Sequence, residues 1–331
     1  MAEATHNCGL DSYARNLQLV HATSDNPIGP YTKQGLVAAP IANTAHLARD
    51  PADGALLLFV TGCGTAAARG CTQIEGCHNG TTDNPMPTPP ASCNNLTRCQ
   101  DDDGTNVLRS PNGLFEGPWE LAVSPLLDTD DPRKQHADNT TVYYANPAPL
   151  IDDDGTTRII FRDFYRNAQF PRTNLCGLAK AKQWRGPYAL PLGNDGTVVP
   201  NATEDPHLYR DHRGHCHVIF HALDHWCYDC QCPTATSTKL CEDTVGGHAF
   251  SRDCEHFRFS HEYAFTSTVE FTDGSSYTFQ RRERPEAILK DGHVIGLVSG
   301  VSDTRQQQAS KGSRRDYSWT LVQPVKTHAK P

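Results

Sequence analysis

The sequence predicts an all-β fold, a five-bladed β-propeller, on three observations. A strand–turn–strand unit recurs four times, and a second element built on a G-P-aromatic turn recurs between the copies. The composition is rich in turn formers and poor in apolar runs at helical spacing. The 331 residues include 25 Gly and 23 Pro but only 2 Met, which suits many short strands better than a helical bundle.

The four copies are NTAHLARDPADGALLLFVTG (43–62), NPAPLIDDDGTTRIIFRDF (146–164), EDPHLYRDHRGHCHVIFHAL (204–223) and RPEAILKDGHVIGLVSGV (284–301). Each has a polar or proline-bearing opening, a short strand, a D/G turn and a second apolar strand, which is the pattern of a β-hairpin. The second element reads SDNPIGPYTK (24–33), RSPNGLFEGPWEL (109–121), AKQWRGPYAL (181–190) and, more loosely, FSRDCEHFRFS (250–260). Strands precede it, as in LQLVHATS (17–24) and LCGLAKAK (175–182), and SWTLVQPV (318–325) supplies the matching strand for the last hairpin. Hairpin, strand, turn and strand together make one four-stranded blade. A β-sandwich with irregular loops is the alternative, but the ordered recurrence of two distinct elements favours the propeller. The chain opens on the second half of a unit, so the first blade is expected to be incomplete. Residues 1–331 read as a single domain, with Cys-rich loop insertions near 63–104 and 226–245 and irregular tails at 1–14 and 326–331.

A formal charge of −8, with no basic stripe carrying interleaved aromatics, argues against a nucleic-acid partner. No run of 18 apolar residues is present, so no membrane span is expected. Most of the 13 cysteines fall in two clusters, at 63–99 and 227–254, and N-x-S/T sequons stand at Asn79, Asn95, Asn139 and Asn201. Together these predict a secreted glycoprotein stapled by disulfides, and the C-x-x-C of WCYDCQC (226–232) reads as part of that stapling. The N-terminal MAEATHNCGLDSYARN has no apolar core of a signal peptide. With an odd number of cysteines, the sequence is expected to be the tail of a longer secreted chain.

The SDNPIGPY stretch, the N/E-x-P-x-L hairpin openings and the D-G turns resemble the five-bladed β-propeller glycoside hydrolases, the arabinanase, invertase and levansucrase group that includes family 43. The resemblance covers most of the chain outside the cysteine insertions. It implies a central funnel holding three carboxylates from the innermost strands of the first three blades, a carbohydrate substrate or ligand, and no cofactor. Two carboxyl groups in unequal environments must flank the glycosidic bond, so that one stays protonated. The sequence departs from that pattern. The second-blade position reads Asn-Thr-Ala-His from Asn43, and the third reads Asn-Pro-Ala-Pro from Asn146. The acidic opening, Glu204–Asp205, belongs to the fourth blade, and the base would come from the missing first blade.

The candidate acid is therefore Glu204, with Asp205 as the alternate. In a regular strand these neighbours point to opposite faces, so only one should line the funnel, the other bracing the turn. Asn43, His46, Asn146, Asp163, His207 and His248 are candidate sugar contacts, with Arg282, Glu283 and Arg284 as the far wall. The charges of QRRERPEAIL (280–289) form either a salt-bridge lattice or an arginine fork for an acidic glycan, a cavity that Arg162 would join. The H-x-H-x-x-x-H run at 215–221, with His248, has the residue types of a metal site, but nearby spacing matches no structural zinc site, and no metal is assigned. In GGHAFS (246–251), two glycines mark a place where the backbone comes close to something. The leading expectation is a secreted glycoside hydrolase. Its rivals are a non-catalytic glycan-binding propeller and a disulfide-rich matrix protein.

Overall fold

The computed structural model describes residues 2–4, 17–38, 42–62, 105–123, 126, 141–166, 173–191, 198–199, 203–222, 246–260, 262–302 and 318–325. Both cysteine-rich insertions, the four sequons and the C-terminal tail lie outside these residues. The described chain is all-β, with no helix.

Six antiparallel sheets follow one another along the chain. The first joins β1 (Ala2–Ala4), β2 (Leu17–Thr23) and β3 (Thr32–Ala38). The second runs β4 (Asn43–Arg49), β5 (Leu56–Thr61), β6 (Thr105–Ser110) and β7 (Glu120–Val123). The third is β8 (Thr141–Ile151), β9 (Thr157–Arg166) and β10 (Thr173–Ala181). The fourth is β11 (Thr203–Arg210), β12 (Cys216–Ala222), β13 (Gly246–Ser251) and β14 (Arg258–Phe259). A small pair, β15 (Thr268–Glu270) and β16 (Ser276–Thr278), precedes the last sheet of β17 (Arg281–Lys290), β18 (His293–Ser302) and β19 (Ser318–Pro324). All four expected hairpins are present. The first sheet, expected to lack its leading strand, has one. Ala2–Ala4, in the stretch read as an irregular tail, pairs with Leu17–Leu19 of β2 and lies beside β4.

Turn chemistry sets the hairpins. Asp53, Asp154, Asp211 and Asp273 each accept a hydrogen bond from the backbone N–H two residues on, which closes the bend without a partner from elsewhere. The G-P-aromatic turns share a second device. Tyr31 Oη donates to Pro27 O (2.5 Å), Trp119 Nε1 to Phe115 O (3.0 Å) and Tyr188 Oη to Trp184 O (2.8 Å). In each, an aromatic ring folds back over its own turn and ties its polar tip to the carbonyl four residues earlier.

The core lies between sheets. Leu58 and Val60 of β5 pack with Leu19 towards the first sheet, while Leu57 and Phe59 pack with Ile159 and Phe161 towards the third. Ile160 takes the other face of β9 and meets Leu208, Val218 and Phe220 of the fourth sheet. Strands buried on both faces need no polar alternation, which is why LLLFVT reads as a continuous apolar run. Each fully buried ring or branched chain contributes about 1.5–3 kcal/mol. This packing sets the first strands side by side, β4 against β8, β8 against β11, and β11 against β17.

Candidate active site

The four first strands share a backbone irregularity. The hairpin ladder slips by one residue between Asn43 and His46, Ala145 and Ala148, Glu204 and His207, and Glu283 and Glu286. Each slip holds one residue in the left-handed region: Thr44 (φ 45°), Asn146 (φ 52°), Asp205 (φ 50°) and Arg284 (φ 54°). These are β-bulges, which re-aim the side chains on either side of the extra residue. Positive φ is costly for non-glycine residues, and four such residues on adjacent first strands make this region the candidate site.

The bulge overturns one expectation. Glu204 and Asp205 do not diverge to opposite faces. Carboxylate oxygens of both, and a ring nitrogen of His221, lie within 4.8 Å of one another. Strand alternation fails here because the extra residue breaks the two-residue period. Arg162 Nη1 stands 2.8 Å from Glu204 Oε2, and His221 Nδ1 lies 3.2 Å from Glu204 Oε1. Asn146 Nδ2 donates to Asp205 Oδ1 at 2.5 Å, while the Asn146 backbone N–H donates to Thr61 Oγ1 at 2.9 Å. Thr61 Oγ1 meets Thr44 Oγ1 at 2.7 Å. The bulges of three neighbouring sheets are thus joined by hydrogen bonds, and the charge of Arg284 on the next sheet acts on Asp205.

The two carboxyls sit in unequal environments. Burial would push Glu204 up, but the His221 hydrogen bond and the charges of His221, Arg162 and Arg284 outweigh it and hold Glu204 down at about 2. Asp205 is more deeply buried, and burial raises it to about 6 against the opposing charge of Arg284. Burial works against the His221 cation, yet the hydrogen bond to Glu204 and the charge of Glu283 raise it to about 9. At neutral pH the trio is a carboxylate, an imidazolium bound to it and a second carboxyl near its own midpoint.

The remaining predicted residues divide. Asn43 is buried beside the first bulge, accepting from Thr44 Oγ1 at 3.2 Å. His46 stacks on His207 with ring centroids 5.7 Å apart, and its Nδ1 lies 3.9 Å from Glu286. Burial lowers both imidazoles to about 4, so both are neutral. Both ring nitrogens of His207 are buried without a hydrogen-bond partner among the described residues. Glu283 and Arg284 join the charged cluster. Arg282 does not. It is 1% exposed and donates to Ser299, Thr266 O and Gln323, because strand alternation turns it into the last sheet. His248 also lies elsewhere, on the third strand of its sheet, 2.9 Å from His217, which in turn meets Asp211 at 3.3 Å. The backbone of Asp163 pairs within the third sheet, and its side chain lies outside the described residues.

Two residues matter more than their sequence reading suggested. His221, read as a metal candidate, is the Glu204 partner, and Arg162 is its second cation. Both were findable, since each stands directly opposite a hairpin opening: His221 opposite Glu204 and Arg162 opposite Ala145.

No protein-family model and no curated protein sequence matches the chain. Solved structures do. A thermostable family-43 glycoside hydrolase superposes with a TM-score of 0.52 at 9% identity, over 96% of this chain and 84% of that one. The fold is that of the family-43 glycoside hydrolases. An endo-1,4-beta-xylanase from Bacteroides thetaiotaomicron covers 99% of this chain and 93% of its own, at 12% identity and a TM-score of 0.49. An endo-arabinase from the same organism covers 96% and 87%, at 11% identity and a TM-score of 0.48. The family-43 fold is a β-propeller, as the hairpin repeat predicts. At such identities the likeness extends to the fold, and the chemistry must be argued from the residues.

Proposed function

We propose that the protein is a glycoside hydrolase built as a five-bladed propeller, secreted and glycosylated, that holds a glycan where the first strands of its blades converge. The observation that carries the reading is the Glu204–Asp205 pair, two neighbouring carboxyls brought together by a bulge, of which Asp205 holds its proton to a higher pH than Glu204. Asp205, whose carboxyl is raised to about 6 by burial and by the like charges of Glu204 and Glu283, is oriented by the Asn146 amide and gives its proton to the leaving glycosidic oxygen. Glu204, held as an anion by Arg162 and His221, stabilises the positive charge that develops on the sugar ring. The sequence reading favoured Glu204 as the acid. The cations on both of its oxygens favour Asp205. The buried disulfide between Cys216 and Cys254 supports the secretory assignment.

The test is release of reducing sugar from a panel of plant, fungal and algal polysaccharides. Asp205→Asn is expected to lower kcat by roughly 10²–10⁴-fold, the usual contribution of a positioned acid. Wild-type kcat should fall as pH rises through about 6, because deprotonation of Asp205 removes the donor. A second reading rests on Asn146, an amide at the bulge position that holds an acid, Asp205, on the first strand of the following sheet. In that reading the propeller binds glycans without cleaving them. Wild-type and variant proteins that bind one polysaccharide equally and release nothing would establish it.

A further inference from the structure

Hydrolysis of a glycosidic bond needs a carboxyl on each side of the anomeric carbon, one to give a proton and one to handle the attacking water. Glu204 and Asp205 are neighbours on a single strand and supply one side only. The other side is offered by β17, which lies beside β11 and β12.

The bulge of β17 repeats that of β11. Glu283 stands where Glu204 stands, directly before the left-handed residue, and it faces Gly300 across its hairpin as Glu204 faces His221. The two glutamates therefore leave equivalent points of adjacent first strands. The charge of Glu283 acts on Asp205, His221 and Arg284, which places it in the same cluster. Its surroundings differ in one respect. Both oxygens of Glu204 are taken by cations, whereas Gly300 has no side chain to offer. Arg281 Nη1 stands 4.0 Å from Glu283 Oε1, outside hydrogen-bonding reach. Among the described residues nothing donates a hydrogen bond to the Glu283 carboxylate. Its side chain is 20% exposed, so water can reach its unspent acceptors.

We propose that Glu283 is the general base of the reaction assigned above, an inference that rests on that assignment. Glu283 takes a proton from a water whose oxygen bonds to the anomeric carbon. The bond from that carbon to the leaving oxygen breaks, and its electron pair stays with the leaving oxygen, which receives the Asp205 proton. Solvent then returns a proton to Asp205 and removes one from Glu283, so no further reactant is consumed.

The experiment compares wild type, Glu283→Ala and Glu283→Gln on a panel of 4-nitrophenyl pentosides and hexosides, with and without sodium azide. Thermal melts of each protein establish that it is folded. The expected result is a kcat lower by roughly 100-fold or more in both variants, with KM little changed. Azide should restore turnover in Glu283→Ala, the variant with space for it, and should yield a glycosyl azide. A wall residue that only contacts sugar would raise KM and gain nothing from azide. An active wild type with an equally active Glu283→Ala, or with a loss that azide does not restore, overturns the assignment and leaves the hydrolase reading standing. A wild type inert on the panel and on the polysaccharides overturns both.

Discussion

Asp205 and Glu204 are consecutive residues, yet one holds its proton to about pH 6 and the other loses it near 2. The difference lies in burial, which raises Asp205 against the charge of Arg284, and in the hydrogen bond from His221 and the charge of Arg162, which hold Glu204 down. Linkage turns this into a pH profile of stability. Glu204, lowered from 4.5, contributes stability that is present above that value and lost as pH falls towards 2. His221, raised from 6.5 to about 9, contributes stability fully present below 6.5 and lost as pH rises through 9. Wild-type melting temperature should therefore decline between pH 7 and 10, and His221→Gln should flatten that decline while melting lower at pH 7. An unchanged alkaline slope in the variant would place the loss elsewhere. The acidic pair was legible in the sequence, but its geometry was not, because alternation along a strand holds only while the ladder stays in register. Arg282 was misplaced for the opposite reason. Its stretch of charges reads as a cavity wall, yet regular alternation sends every second residue into the sheet.

At the scale of the element, the glycines of β13 show how closely the fourth sheet is packed. A Cβ on Gly247 would lie 2.0 Å from the Phe220 ring, and one on Gly246 would lie 2.3 Å from Phe265. The close approach expected of GGHAFS is thus to aromatic side chains of the core. Gly247→Ala should destabilise the protein by about 1–3 kcal/mol through overpacking, read as a lower denaturant midpoint with an unchanged slope. The hairpins themselves were readable, since an Asp two residues before a free N–H closes a turn by local chemistry alone. The bulges were not, because a slip is a relation between two strands. A faint mark of them is present: proline follows the left-handed residue in three of the four, at Pro147, Pro206 and Pro285.

Across the whole molecule, neighbouring sheets are stitched at several levels. Asp152 of the third sheet's turn pairs with Arg158 and with Arg210 of β11, and Glu255 of the fourth sheet pairs with Lys180 of β10. Within the fourth sheet, Cys216 and Cys254 close a loop across 38 residues, which in the chain-entropy account stabilises by about 3–4 kcal/mol. Replacing both cysteines by alanine should lower the denaturant midpoint accordingly, whereas Cys176→Ala should cost less. Cys176 is a free, buried thiol that burial pushes up to about 12, so it closes no loop. The propeller could be read from sequence because each blade repeats one local pattern. Placing each hairpin opening on a common axis was enough to bring Asn146, Arg162, Glu204 and Glu283 towards one cavity, whereas the parts of Thr61 and His221 could not be read, since they depend on how separate strands face one another.

The recurring slip also bears on how such a protein changes over time. Thr44, Asn146, Asp205 and Arg284 occupy four copies of one socket, each with the same chain path and a different chemical head. Backbone shape in a socket is set by strand pairing, so the head can be exchanged without rebuilding the wall around it. Asn146→Asp would trade an amide nitrogen for an oxygen, in a seat already touching Asp205. A molecule arranged this way stands one such exchange from a different complement of buried acids, and its chemistry can drift while its architecture stays put.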